Sequence, residues 1–419
     1  MLDLVRRLQP ICRSITGDGV RETLTIIGES IDLEVHEVPS GTAVLDWTVP
    51  PEWNIADAYV ADSTGRRVVD FRENNLHVVS YSVPVRTTMT LDELRPHLHS
   101  LPDQPDLIPY RTSYYDESWG FCLRHHDLEQ LSSDERYDVV VDSTLEPGAL
   151  TYGECLVEGE SDDEILISAH VCHPSLCDDN LSGIAVATAF AARLRDGPAP
   201  RRSVRFVFAP GTIGAISWLA RNRDRVERII GGLTLTCLGD SRGFTYKRTV
   251  GGNELVDRAA EHVLRRSEAA QLIDFFPYGY DERQYNSPGF RAPVGSLMRG
   301  RHGMFPEYHT SADDLDFLSA DQLADAYQVV AEIVSIVAAD RVYTSTEPYG
   351  EPQLGSRGLY GALGGTTIPD AQMAMLWILN QADGEHSLLD IAERSGIRFE
   401  SIVATADLLV EHQLLRVEN

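Results

Sequence analysis

The chain has 419 residues, of which 43% are hydrophobic and 24% are charged, and its formal net charge is −28. This composition is typical of a globular protein with a sizeable core and two or three domains. The negative charge argues against a nucleic-acid-binding or anionic-membrane-binding surface, because both partners repel acidic proteins.

The beginning of the chain, MLDLVRRLQPICRSITG, has no apolar core of signal-peptide length. No stretch approaches the ~20 apolar residues of a membrane span. The six cysteines are scattered without the spacing of a disulfide scaffold. We therefore expect a cytoplasmic protein with free thiols and no membrane partner, and a homo-oligomer is compatible with the sequence.

The first 45 residues predict two helices followed by a strand. LDLVRRLQPICRSI has helical spacing, residues 18–31 offer a second helix, and residues 33–38 alternate like a strand. From 46 to 137 short β-prone runs are separated by Pro, Gly and Asn. We predict that residues 46–137 form a small β-rich domain inserted into a larger one.

Strands and helices alternate from about residue 138 to residue 343. YDVVVDSTL, EILISAH, SVRFVFA and GLTLTCL are strand-like, whereas SGIAVATAFAARL, AISWLARNRDRV, GNELVDRAAEHVLRR and residues 321–340 are helix-like. Such alternation predicts an α/β fold with a mostly parallel sheet flanked by helices. We expect residues 1–45 and 138–343 to form one domain, with its site at the carboxyl ends of the strands.

Residues 344–368 are rich in Gly, Pro, Ser and Thr and predict a linker. Three short helices and the ending LLRVEN predict a winged-helix domain over residues 369–419. Its last helix carries no basic residue after Arg398, whereas DNA phosphates are bound by Lys and Arg. A packing or protein-interaction module is therefore expected, and a DNA-binding regulator is the alternative that this charge disfavours.

Three candidate metal ligands stand out in the central part of the chain. His170 ends the apolar run ILISAH, and Asp179 follows within DDNLSG, directly before a helical pattern. His309 lies much further on, in PEYHTSADD. Zinc takes imidazole nitrogen and carboxylate oxygen, and a catalytic zinc site keeps one position open for water. The combination indicates a zinc hydrolase.

Two other interpretations of the segment after His170 stay open. Cys172, His173 and Cys177 offer thiolate and imidazole ligands at close spacing, as in a structural zinc site, although no second Cys or His pair follows. Nucleophilic catalysis by a Cys172–His173 pair is a further possibility. Adjacent side chains of a strand point to opposite faces, which disfavours that pair.

These motifs resemble the M28-type zinc aminopeptidases, and more closely a bacterial branch with an inserted domain of formerly unknown function (DUF4910 or DUF2172 type) and a C-terminal winged helix. RSITGDGVRETL and DWTVPPEW at the front, with HVCHPSLCDDNLSG and PEYHTSADDLDF behind, carry the resemblance across essentially the whole chain. The resemblance implies a zinc-exopeptidase-like fold. It also implies hydrolysis of an amide bond in a small peptide or aminoacylated metabolite.

The resemblance also assigns metal ligands. It implies that His170 is the first zinc histidine, that Asp179 is the metal-bridging aspartate, and that His309 is the last histidine ligand. A further ligand of the family follows a strand matching LTLTCLGD, where Asp240 is the nearest acid. Cys172 replaces the family acid that orients the first histidine, so the partner of that ring is not evident from the sequence.

The largest departure from the family is Gly211, in Pro-Gly-Thr-Ile-Gly. The resemblance implies a glutamate there, which acts as general base and metal ligand. We therefore expect one zinc ion rather than a pair. Glu282 or Glu307 is a candidate to replace the base, and Asp281 or Glu307 to hold a substrate amine. A relative that binds a ligand or metal without turnover is the alternative that Gly211 raises.

Overall fold

The computed structural model describes residues 1–359 and 370–417. The chain divides into two compact units. The first consists of Met1–Asp257 and Leu264–Ala331, and the second consists of Arg258–Val263 and the described part of Glu332–Asn419.

An eight-stranded mixed sheet forms the centre of the first unit. Its strands, in spatial order, are β1 (Glu34–Pro39), β10 (Ala149–Val157), β12 (Ser203–Ala209), β11 (Glu164–His170), β13 (Ile229–Leu235), β16 (Val294–Met298), β14 (Thr245–Lys247) and β15 (Gln271–Ile273). The neighbours β12, β11, β13 and β16 run parallel. Every side chain of β11 and β12 is buried, which fits their mostly apolar sequences, and the buried Arg205 of β12 pairs with Glu164 of β11. The predicted α/β fold is confirmed.

Helices of the first unit accompany these strands. They are α1 (Leu2–Leu8), α2 (Asp18–Gly28), α3 (Leu91–Leu94), α4 (His125–Glu129), α5 (Gly183–Arg195), α6 (Ile213–Arg221), α7 (Arg223–Val226) and α9 (Glu282–Tyr285). Two further helices, α8 (Leu255–Leu264) and α10 (Ala320–Ala339), contribute residues to both units. Helix α5 follows β11 and lies against it, as expected for a parallel strand–helix unit.

Helix α10 is long and apolar enough to cross a membrane by length and composition, although no such stretch was expected. Of its most apolar window, 44% is buried inside the fold. A single helix of this kind is weak evidence for a membrane span, since the core helix of a soluble protein passes the same test.

A separate four-stranded antiparallel sheet forms between residues 52 and 146. Its strands, in spatial order, are β5 (Arg67–Asp70), β4 (Glu52–Ala61), β9 (Arg136–Glu146) and β6 (Val85–Thr90), and two-stranded ladders join β2 (Ala43–Val44) to β3 (Trp47–Thr48) and β7 (Leu98–His99) to β8 (Phe121–Cys122). The strand–helix alternation predicts that residues from 138 onward belong to the parallel sheet, but β9 pairs with β4 and β6 instead. Alternate residues Tyr137, Val139 and Val141 pack into the core of this small sheet, which explains the difference.

The second unit contains the winged helix. Its elements are β17 (Val342–Ser345), α11 (Asp370–Gln381), β18 (Asp383–Ser387), α12 (Leu388–Ser395), α13 (Phe399–Glu411) and β19 (Leu415–Val417), with strand order β18-β17-β19. The three predicted helices and the predicted wing are present. The first residues of the predicted linker belong to β17, and its residues 360–368 lie outside the described part of the chain.

We expect the stability of this unit to depend on pH because of the buried carboxylate of Asp340. Its carboxylate is buried and accepts the Leu389 N–H at 2.8 Å, and burial raises its pKa from 3.8 to about 6. Because the folded-state pKa exceeds the unfolded one, the free energy of unfolding falls as pH rises from about 4 to about 6, and stays lower above that. One pKa unit corresponds to about 1.4 kcal/mol, so the loss is at most about 3 kcal/mol.

We expect Asp340→Asn, which keeps the acceptor and removes the charge, to be more stable than the wild type at about pH 7.5 and similar at about pH 4. Urea unfolding at the two pH values measures this difference. An equal difference at both values would contradict the assigned ionisation.

Candidate functional site

The carboxyl ends of the parallel strands place several polar residues at one edge of the sheet. His170 is the last residue of β11, and Gly211 follows β12. Thr236 directly follows β13, and His302 lies in the loop after β16. This is the edge where α/β folds carry their sites.

Asp179 lies at the centre of a cluster of imidazoles. Its Oδ1 is 2.9 Å from His170 Nε2, and its Oδ2 is 3.0 Å from His309 Nε2. The side chain of Asp179 is 1% exposed. The structure thus brings together the three residues that the sequence singled out, although His309 is 130 positions from Asp179.

A third imidazole, His173, joins this cluster and was not predicted as part of it. Its Nδ1 lies 3.1 Å from the backbone oxygen of Asp179 and 3.4 Å from Oδ2. Ligand atoms of His170, His173 and Asp179 all lie within 4.8 Å of one another. The signal in the sequence was the His-x-x-His spacing just beyond a strand end, where the chain turns and need not keep the alternation of a strand.

The charges of this cluster suit a divalent cation. Burial lowers the pKa of His170 to about 4 and also lowers that of His309, so both rings are neutral at pH 7. Burial raises the pKa of Asp179, but the neighbouring His173 and hydrogen bonds from the imidazoles outweigh burial and hold it well below its ordinary value. Among the described residues, no Lys or Arg forms an ion pair with Asp179. Imidazole nitrogens beside an ionised carboxylate are donors that zinc takes.

The residues next to the cluster fix its geometry. Nδ1 of His170 lies 3.2 Å from the side-chain amide of Asn180, which also donates to the Leu235 carbonyl at 2.9 Å. Asn180 is therefore the partner of the His170 ring that the sequence did not reveal. Asp313 accepts the backbone N–H of Asp179 at 3.0 Å and thereby holds the loop that carries it.

The cysteines nearby have other contacts. Cys172 Sγ accepts the Gly211 N–H at 3.2 Å and lies 3.0 Å from Tyr280 Oη. Burial raises the pKa of Cys172 to about 12, which disfavours the thiolate that a nucleophile requires. Among the described residues, the cluster that contains His173 includes neither Cys172 nor Cys177. The geometry therefore favours neither the structural zinc site nor the Cys–His pair.

Glu282 is engaged in a buried ion pair with Lys247, and both side chains are 1% exposed. Its carboxylate also accepts the Tyr280 N–H at 3.0 Å. Lys247 Nζ donates in addition to the Tyr278 carbonyl at 2.9 Å. These contacts anchor the loop before α9, which is a structural role for the carboxylate.

The other predicted acids also lie outside the imidazole cluster. Glu307 pairs with Arg242 at 2.8 Å, and Asp240 accepts the backbone N–H of the same arginine. Asp281 is 2% exposed, its Oδ1 has no described hydrogen-bond partner, and burial raises its pKa well above the ordinary value. None of the three has a described hydrogen bond or ion pair with Asp179.

Aromatic rings form the wall around the imidazoles. Tyr308 stacks on His309 with ring centroids 3.9 Å apart, and Tyr280 lies 4.0 Å from the His170 ring. Tyr110 meets His309 edge-on at 5.0 Å. These rings cover part of the cluster and restrict the imidazoles to few orientations, while the side chain of His309 is 31% exposed.

His302 is a buried imidazole just beyond the cluster. Its Nε2 lies 3.4 Å from Thr236 Oγ1, which in turn lies 3.4 Å from Asp179 Oδ1. Burial lowers its pKa, so the ring is neutral at pH 7. The sequence analysis did not identify His302, since it lies in a loop without a distinguishing motif.

Known proteins share this architecture. Residues 2–340 match a family described as a domain of unknown function, DUF4910, and residues 341–417 match one described as winged helix-turn-helix. A Clostridium acetobutylicum protein, provisionally described as a polysaccharide biosynthesis protein with an aminopeptidase-like domain, is 52% identical over 417 residues, which are 99% of this chain and 95% of that protein.

Solved structures extend the comparison. A Clostridium acetobutylicum crystal structure, provisionally described as a peptidase, is 50% identical with a TM-score of 0.92, covering 100% of this chain and 96% of that one. BSAP, a zinc aminopeptidase from Bacillus subtilis, is 13% identical with a TM-score of 0.57 over 80% of this chain and 93% of its own, which shows the fold alone. The chain belongs to the DUF4910 family, with an aminopeptidase-like α/β fold and a C-terminal winged helix.

Proposed function

We propose that the protein is a zinc-dependent, aminopeptidase-like hydrolase that uses one metal ion to cleave an amide bond. The observation that carries the proposal is that both carboxylate oxygens of buried Asp179 meet imidazole nitrogens, from His170 and His309. Three imidazoles gather around this buried carboxylate, which has no Lys or Arg partner among the described residues, and such a charge is costly to bury without a cation.

The roles of the residues follow from their positions. His170, Asp179 and His309 hold the ion, and His173 completes the set or fixes the Asp179 backbone through its Nδ1. A zinc ion held there would supply Lewis-acid polarisation of the scissile carbonyl and would lower the pKa of a water molecule towards ~7. The aromatic rings limit the access of water on the sides that they cover and so strengthen the electrostatic interactions there.

We assign proton transfer to His302. Gly211 supplies no carboxylate, and Glu282 and Glu307 are paired with Lys247 and Arg242. His302 is neutral at pH 7 and is linked to Asp179 through the Thr236 hydroxyl, with two distances of 3.4 Å. A neutral imidazole at this position can accept a proton from water and return it to the leaving amine.

We expect His302→Gln to lower kcat by about 10²–10⁴-fold while zinc content stays unchanged, because the substitution removes the proton acceptor but no metal ligand. Steady-state kinetics with metal analysis of the same samples checks this. Activity within about threefold of the wild type would exclude His302 as the general base and leave Asp281 as the next candidate.

The substrate is proposed from a cavity that Tyr110 and Tyr114 link to the cluster. This cavity of about 460 Å³ is lined by Tyr81, Tyr114 and Tyr115 together with prolines, Asp116 and Glu117. Tyr114 Oη hydrogen-bonds Tyr110 Oη at 2.9 Å, and the Tyr110 ring contacts His173 and His309, so these two tyrosines lie between the cavity and the imidazoles.

Aromatic faces with nearby carboxylates suit a pyranose ring, whose C–H face stacks and whose hydroxyls donate. The relative described as a polysaccharide biosynthesis protein supports the same choice. We therefore propose an aminoacylated sugar metabolite as the substrate. A small peptide, which carries the same kind of amide bond, is the second candidate. The general test compares zinc-loaded protein on aminoacyl-nitroanilides and on N-aminoacyl amino sugars. Turnover of neither panel by protein that holds zinc would identify a degenerate, non-catalytic relative.

A further inference from the structure

Gly211 has no side chain, and the ring of Tyr280 lies where a side chain at this position would be. A Cβ atom built on Gly211 would overlap Cε1, Cζ and Oη of Tyr280, closer than real Cβ atoms approach any neighbour. Tyr280 thus occupies the space into which any side chain at position 211 would extend. The two positions are 69 residues apart and belong to the loops after β12 and before α9.

The backbone that carries Tyr280 is firmly held. The Tyr280 N–H donates to Glu282, which is paired with buried Lys247, and Lys247 donates to the carbonyls of Phe276 and Tyr278 at 3.3 and 2.9 Å. These contacts hold the loop backbone on both sides of Tyr280, so the ring can leave its place only by rotating its side chain away from its neighbours.

The ring also closes one side of the imidazole cluster. It lies 4.0 Å from the His170 ring, and its Oη lies 3.4 Å from His173 Nε2 and 3.0 Å from Cys172 Sγ. A carboxylate extending from position 211 into the same space would reach these imidazoles and add a donor. With the ring there, the cluster is limited to its own imidazoles and Asp179.

We propose that the Tyr280 ring fills the space left by the missing side chain of Gly211. The ring takes the place of a ligand side chain at position 211 and so restricts the centre to one metal ion. Tyr280 is a positioning residue in this scheme, and its hydroxyl orients His173. The inference rests on the proposed function for the metal, whereas the steric pairing itself does not.

The steric pairing is tested in metal-free protein with a double-mutant cycle. Gly211→Ala alone should lower Tm by roughly 3–10 °C, because the added methyl group meets a ring that is held in place. Gly211→Ala should change Tm little in the Tyr280→Ala background. It should lower Tm as much in the Tyr280→Phe background as in the wild type, because phenylalanine retains the ring. Additive effects in the Tyr280→Ala background would overturn the pairing.

The metal restriction is tested by counting zinc in dialysed protein. Wild type and Tyr280→Ala should hold one equivalent, and Gly211→Glu with Tyr280→Ala should hold two. Two equivalents in the wild type, or one in the double variant, would overturn the restriction. A wild type without zinc would overturn both the restriction and the proposed function, while the cycle in metal-free protein would still report on the pairing.

Discussion

Replacing Asp179 by asparagine is expected to abolish hydrolysis and to weaken zinc binding by more than about 100-fold. Losing even an outer partner of a metal site costs about 10–100-fold in affinity or activity, and Asp179 contacts His170 and His309 directly. Asparagine keeps the shape and the backbone contacts, including the N–H donated to Asp313, so the loop should stay folded.

A competition titration with a coloured zinc chelator measures the affinity, and the aminoacyl substrates measure the activity. The exposed Asp196, which pairs with Arg195 at 2.8 Å, offers the matched control, since Asp196→Asn makes the same chemical change away from the site. Wild-type zinc affinity in Asp179→Asn would show that the imidazoles bind without the carboxylate, against the proposed centre.

The second large effect is on the stability of the fold, and it shows whether Glu282 has a structural or a catalytic role. Lys247→Met should lower the free energy of unfolding by about 3–5 kcal/mol, because it leaves the Glu282 carboxylate buried and unpaired. Combining it with Glu282→Gln should recover most of that loss, since the remaining groups are uncharged. Chemical denaturation of the three proteins measures the cycle.

The same double variant tests the role of Glu282. If the carboxylate only anchors the loop, the double variant should retain kcat within about tenfold of the wild type. A fall of 10³-fold or more with zinc still bound would instead identify Glu282 as the proton acceptor. The comparison requires that the double variant keeps its folded circular dichroism spectrum.

The sequence predicted those features that depend on local pattern and chain order. Apolar runs predicted β11 and β12, and the rule that parallel strands carry sites at their carboxyl ends placed His170 correctly at the sheet edge. The helix-like pattern after DDNLSG became α5, with Asp179 just before it. These inferences succeeded because each concerns neighbours along the chain or a general property of the fold.

Features that depend on distant pairing were not predictable in this way. The sheet to which β9 belongs is decided by its partners β4 and β6, and its own alternation suits either sheet. Glu282 seemed available because Lys247, its partner, lies 35 positions away without any linking pattern. The packing of Tyr280 against Gly211 is likewise a contact between two loops, and only coordinates reveal it.

The zinc content of the wild type and of His309→Asn, measured after reconstitution and dialysis, decides whether the protein binds one zinc ion through His309. Asparagine tolerates the left-handed backbone at this position, where φ is 55°, but its side chain is too short to reach Asp179. We expect one equivalent of zinc in the wild type and much less than one in the variant. A wild type free of zinc, or a variant that keeps a full equivalent, would contradict this expectation.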